Sequence, residues 1–188
     1  MKHVALITGA SSGIGKELAR IHAKQGNDLI LIARREKELM ELKQELKTNF
    51  NVTVLVIVKD LSEPGAPKEI YTETNNSEIE VEYLINNAGF AGYGLFHERT
   101  MEDDLNMLNV NITSLMLLTK LYLPDMVARR SGKILNVSST ASFLPGPMQA
   151  VYYASKAFVT SFSQALSEEL KDKGVTRSEE RRVGKQCR

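Results

Sequence analysis

The sequence predicts a doubly wound parallel α/β sheet. Short apolar runs alternate with amphipathic helical stretches over most of the chain. The runs are continuous rather than alternating, as in strands covered on both faces. A glycine-rich turn joins the first run to the first helix.

Each element has its own signal. Val4-Ala-Leu-Ile7 is a buried strand that stops at Thr8-Gly9. Lys16 to Gln25 is helical, with Leu18, Ile21 and His22 on one face and Gly26 as its stop. Leu29-Ile-Leu-Ile32 is the second strand. Leu39, Leu42, Leu46 and Phe50 keep helical spacing from Glu36 to Phe50. Val52 to Val58 is a β-branched third strand. Pro64, Gly65 and Pro67 delay the next helix, leaving a short one from Lys68 to Thr74. Tyr83-Leu-Ile85 leads into Asn86 as the fourth strand. Asp103 to Arg130 reads as one long helix with Pro124 as its expected bend. Lys133 to Val137 is the fifth strand, Val151 to Lys173 a helix, and Gly174-Val-Thr176 the opening of a sixth strand. The long helix is apolar nearly all round, from Leu105 through Leu115 to Met126. One face covers the sheet; the other calls for a second partner, read here as a subunit.

Composition narrows the function classes. A chain of 188 residues fits one domain. A net charge of +1 gives no electrostatic reason to expect nucleic acid or an anionic membrane. A single cysteine, Cys187, excludes an intramolecular disulfide and argues against a thiol-ligated metal, so no metal site is expected. No apolar run near a helix approaches the ~20 residues of a membrane span. The apolar start is shorter than the ~7–15 residues of a secretory signal. The expectation is a cytoplasmic protein without nucleic-acid or membrane partners.

Three groups of residues carry chemistry. Thr8-Gly-Ala-Ser-Ser-Gly-Ile-Gly15 lies between strand and helix. There Gly9 permits a tight turn, Gly13 lets a ligand approach the backbone, and Gly15 lets helix and strand pack closely. The helix start aims free N–H groups at a pyrophosphate. Next, the second strand ends in Ala33-Arg34-Arg35, with no acid before Glu36. A basic residue here suits the 2′-phosphate of NADP(H), and Arg34 offers a permanently charged planar fork. NAD(H) is the alternative. Last, Tyr152 and Lys156 stand four apart on a helix and share a face. An ammonium beside a phenol favours the phenolate, lowering its pKa from about 10 and making Tyr152 a proton donor or acceptor for a carbonyl/alcohol pair. Ser139, at a strand end, can hydrogen-bond the same oxygen.

Together these residues resemble the short-chain dehydrogenase/reductase family over residues 1–176. Thr8 to Gly15 is similar to its cofactor loop, with Gly9, Ser11, Ser12, Gly13, Ile14 and Gly15 as cofactor contacts. Asn86-Asn87-Ala88-Gly89 resembles its fourth-strand signature, and Asn111, Ser139, Tyr152 and Lys156 follow the order of its catalytic tetrad. The resemblance implies a Rossmann-type fold. It makes Tyr152 the general acid/base. Lys156 holds the nicotinamide ribose, Ser139 orients the substrate oxygen, and Asn111 supports a water relay. Asn87, Ala88 and Gly89 line the cofactor, and Asp60 contacts adenine. It further implies a homodimer or homotetramer built through the long helices.

The chain departs from the family at its end. Residues 177–188, Arg177-Ser-Glu-Glu-Arg-Arg-Val-Gly-Lys-Gln-Cys-Arg188, look like translated sequencing adapter. The expected organisation is therefore an oxidoreductase domain over 1–176, truncated at the sixth strand, and a non-native tail over 177–188. The expected function is NADP(H)-dependent hydride transfer between nicotinamide and a carbonyl or secondary alcohol. The alternatives are a nucleotide-binding sensor without turnover and an inactive fragment of the enzyme. The substrate is not named by the sequence; Phe90 to Phe96 and Pro145 to Gln149 are its expected borders.

Overall fold

Continuous apolar runs become strands here because helices cover both of their faces. The computed structural model describes residues 3–182, with side chains described through Thr176. Its strands are β1 (Val4–Thr8), β2 (Asp28–Ala33), β3 (Val54–Val58), β4 (Val81–Asn86), β5 (Gly132–Ser139) and β6 (Val175–Arg182). All pair in parallel, in the order β3-β2-β1-β4-β5-β6.

The helices divide between the two faces. Ala5, Ile7, Leu29 and Leu31 pack with Ala19 and Ala23 of α1 (Gly13–Lys24) and Leu39, Leu42 and Leu46 of α2 (Glu36–Phe50). Leu6, Ile30, Leu84 and Ile134 point the other way. They meet Ile70 of α3 (Ala66–Asn76), with α5 (Leu115–Ala128) and α6 (Ala150–Glu169) covering the same face. Fully burying one such leucine or isoleucine contributes about 1.5–3 kcal/mol.

The long helix expected over 103–130 is in fact three pieces. It begins earlier, as α4 (Met101–Leu108), because the Thr100 hydroxyl accepts from the Asp103 N–H at 3.1 Å and three acids fill the first turn. Asn109–Ser114 then forms a π-helical turn before α5 resumes. Asn, Thr and β-branched residues there support the α form weakly. The irregularity thus falls at this turn; Pro124 sits inside α5.

The sixth strand also runs further than expected, to Arg182, pairing residues 177–182 with Ile134 to Ser139. The open edge of β5 presents unpaired backbone groups, which an extended neighbour satisfies with little regard to its side chains. Cys187 and the rest of the expected tail beyond Arg182 lie outside the described residues.

One half-buried histidine makes stability pH-dependent. His22 of α1 stacks edge-on to Tyr83 at 4.8 Å and sits 3.0 Å from the Asn27 amide. Burial, with a smaller contribution from the Lys133 cation, holds its pKa below the ordinary value. The unfolded chain therefore takes up a proton near pH 6.5 that the folded chain resists. Stability from this group is complete above about pH 6.5 and is lost as pH falls towards the folded value. Melting temperatures between about pH 7.5 and 5.5 should fall less for His22→Gln than for the parent. Equal slopes would assign the dependence to other groups.

Candidate active site

The strand order reverses between β1 and β4, and the loops leaving those strands part there to form a crevice. Thr8 ties the two loops together. Its hydroxyl donates to the Ile85 carbonyl at 3.3 Å and accepts from the Asn87 and Ala88 N–H groups, each at 3.0 Å. The Asn87 amide returns a bond to the Thr8 carbonyl at 2.9 Å. Thr8 opens the glycine motif, and this tie is a role the motif alone does not reveal.

A cleft of about 360 Å³ opens above this knot, lined by Gly9, Ser11, Ser12, Gly13, Arg34, Arg35, Asp60, Asn87, Ala88 and Gly89 among others. Nine of these ten were expected to meet a cofactor; Arg35 was not. Ile14 and Gly15 stand in the first turn of α1, where Gly15 packs against the Gly9 carbonyl. Gly13 has φ +53°, and a side chain built on it would point into empty space. That vacancy, beside N–H groups at a helix start, fits the pyrophosphate of a dinucleotide.

The cleft's charged wall is already organised. Arg35 donates to the Ser11 hydroxyl at 3.0 and 3.2 Å, tying β2 to the glycine loop. Arg34 is more exposed and reaches Asp60 at 3.4 Å. Burial pushes the Asp60 carboxyl up, but bonds from the Ser62 N–H and hydroxyl, with Arg34, outweigh it and hold the group below its ordinary pKa. The anion is thus engaged on both oxygens.

Next to Gly89 lies the third group. Lys156 is 5% exposed and donates to the Val137 carbonyl of β5 at 3.0 Å. A Cβ on Gly89 would lie 3.0 Å from Asn111 Oδ1 and 3.3 Å from Lys156 Nζ, so both crowd this loop. Asn111 lies in the π-helical turn. Its amide donates to the Phe90 carbonyl at 3.0 Å, and its oxygen accepts from the Phe90 N–H at 3.1 Å. Ser139 ends β5, and its hydroxyl accepts from the Ala141 N–H at 3.2 Å. Tyr152 is half-buried in the first turn of α6, one turn before Lys156 and on the same face. The expected catalytic residues thus come from α6, the end of β5 and the π turn. Arg35 and Ser155 also belong here. Arg35 had a legible signal as the second base after β2; Ser155 had none.

Comparison with known proteins fits this geometry. A family profile described as short chain dehydrogenase matches residues 3–178. The very-long-chain 3-oxoacyl-CoA reductase of Rattus norvegicus is 40% identical over 177 residues, covering 91% of this chain and 55% of that protein. The chain therefore spans about half the length of the curated relatives it matches. A short-chain dehydrogenase from Sphingobium yanoikuyae in complex with NADPH superposes with a TM-score of 0.89 at 33% identity, covering 97% of this chain and 72% of that one. A metagenomic short-chain oxidoreductase in complex with NADP gives 0.91 at 29% identity, covering 97% and 82%.

Proposed function

The chain belongs to the short chain dehydrogenase family, and from that premise we propose that it is an NADP(H)-dependent oxidoreductase with Tyr152 as its general acid/base. One observation carries the reading. The buried Lys156 ammonium joins α6, the end of β5 and the Gly89 loop at one point beside the cleft. That fixes a cation one helical turn from Tyr152, on the face of α6 they share.

The residues present fit a nicotinamide dinucleotide. When bound, that group supplies or accepts the hydride. Gly9 to Gly15 and the start of α1 would hold its pyrophosphate, Asn87 to Gly89 its inner edge, and Asp60 its adenine side. Arg34 would receive a 2′-phosphate, in keeping with the NADPH and NADP complexes of the structural neighbours. NAD(H) lacks the group this arginine suits. Tyr152 would pass a proton to or from the substrate oxygen, with Ser139 holding that oxygen. Lys156 would hold the nicotinamide ribose. Asn111, its side chain engaged by Phe90, would support the proton relay as part of the frame.

The substrate is a carbonyl compound or secondary alcohol, partly hydrophobic. The two expected border loops are tied to each other, Gly94 N–H to the Met148 carbonyl at 2.8 Å and the Tyr93 hydroxyl to Met148 Sδ at 3.1 Å. Tyr93 and Phe96 of the first loop are exposed, as are Phe143 and Leu144 just before the second. Quenching of protein fluorescence by NADPH, followed by turnover on a panel of ketones and aldehydes, tests the proposal. Binding without turnover on any of them would leave a sensor instead.

Assembly as a homodimer or homotetramer belongs to the same reading. Met101, Leu105 and Met116 stand exposed on α4 and α5, an apolar face without cover in the single chain. Sedimentation should show a dimer or larger species that Leu105→Glu weakens. A monomer at all concentrations would reject it. Among the described residues no helix is long and apolar enough to cross a membrane.

A further inference from the structure

Ser155 sits at a position where a serine is costly. It is fully buried in the body of α6, where alanine would favour the helix more and leave no polar group to satisfy. Its hydroxyl is matched on both sides. It accepts from the Asn111 amide at 3.0 Å and donates to the Tyr152 carbonyl at 2.7 Å. A serine bonding back to its own helix is ordinary. The bond from a different element is not, because it converts a local contact into a joint.

The joint has a definite direction. The Asn111 side chain holds both backbone groups of Phe90 and, with its remaining amide hydrogen, Ser155. The loop after β4, the π turn and the start of α6 are thereby fixed to one another. A second bond grips the same stretch of helix: the Ser138 hydroxyl donates to the Lys156 carbonyl at 3.2 Å. The backbone of Tyr152 is thus referred to Asn111, and that of Lys156 to β5. The side chain of Tyr152 leaves the backbone at the residue whose carbonyl Ser155 holds, so a shift there is carried to the phenol.

We propose that Ser155 is a positioning residue which couples Asn111 to Tyr152 and sets the tyrosine hydroxyl for proton transfer. The proposal rests on the acid/base reading of Tyr152. Small displacements of a reacting group, of about 1 Å, lower rates up to about 10²-fold.

The test compares Ser155→Ala, Ser155→Cys and Tyr152→Phe with the parent chain, each with NADPH and a ketone the parent reduces. Ser155→Ala should lower kcat by about 10- to 100-fold. NADPH affinity and the ketone KM should stay near those of the parent. The solvent deuterium isotope effect on kcat should rise as proton transfer becomes the slow step. Ser155→Cys, close in volume and weaker in hydrogen bonding, should fall between Ala and the parent. It also stands in for Ser155→Ala if that variant shows no cooperative melt. A kcat equal to the parent's in the folded variant overturns the proposal. So does a loss of NADPH affinity matching the loss of kcat, which marks general collapse of the site. If Tyr152→Phe is inactive while Ser155→Ala is not, only the positioning role fails. Full activity in Tyr152→Phe overturns the acid/base reading and the positioning role with it.

Discussion

Tyr152→Phe is expected to lower turnover by about 10²–10⁴-fold while leaving NADPH affinity within a few-fold, the loss typical of a positioned acid–base group. The substitution removes one oxygen. The ring remains in the first turn of α6, edge-on to Tyr153 at 6.1 Å. Lys156 keeps its bond to the Val137 carbonyl, which does not involve the phenol. The bond from Ser155 is to the backbone of residue 152 and survives as well. Cofactor site and frame are therefore left standing, and only the proton path is cut. Steady-state rates against single-turnover rates separate chemistry from cofactor release. A variant retaining more than about a tenth of the parent rate would show that the proton reaches the substrate from another group.

Much of this architecture was legible because burial on both faces leaves an unambiguous trace. β1 and β2 are unbroken apolar runs, and the structure buries nearly every residue in them. The glycine motif was legible for a similar reason: few side chains fit where Gly15 meets the Gly9 carbonyl. The π turn left no such trace. The apolar spacing of α4 and α5 runs on through Asn109–Ser114, so one continuous helix was the simplest reading. Within that turn Asn111 is bonded to Phe90 and Ser155, partners distant in sequence. Ser155 was invisible for the same reason, since its neighbours Tyr152 and Lys156 drew all the signal. The extent of β6 was unreadable because its pairing depends on the backbone edge of β5 rather than on its own pattern.

The second large effect concerns the cofactor. Arg34→Asp should weaken NADP(H) binding by roughly 10- to 150-fold, the range of a lost charge-assisted contact worth about 1.5–3 kcal/mol, and weaken NAD(H) much less. The two arginines after β2 stand differently. Arg35 is committed to the Ser11 hydroxyl by two bonds and also lies 3.4 Å from Glu38. Arg34 has a 70% exposed side chain and reaches Asp60 at 3.4 Å, a long contact to a carboxylate that Ser62 already stabilises. Its planar fork can turn towards a phosphate in the cleft with little to give up. An aspartate at 34 removes that fork and sets a second negative charge beside Asp60, repelling a 2′-phosphate that NAD(H) does not carry. Arg35→Ala is the control. It frees Ser11 and loosens the glycine loop, which both cofactors share, so it should weaken both to a similar degree. Fluorescence titration of each cofactor against each variant reads the difference. Equal losses for Arg34→Asp, with a selective loss for Arg35→Ala, would move the discrimination from Arg34 to Arg35.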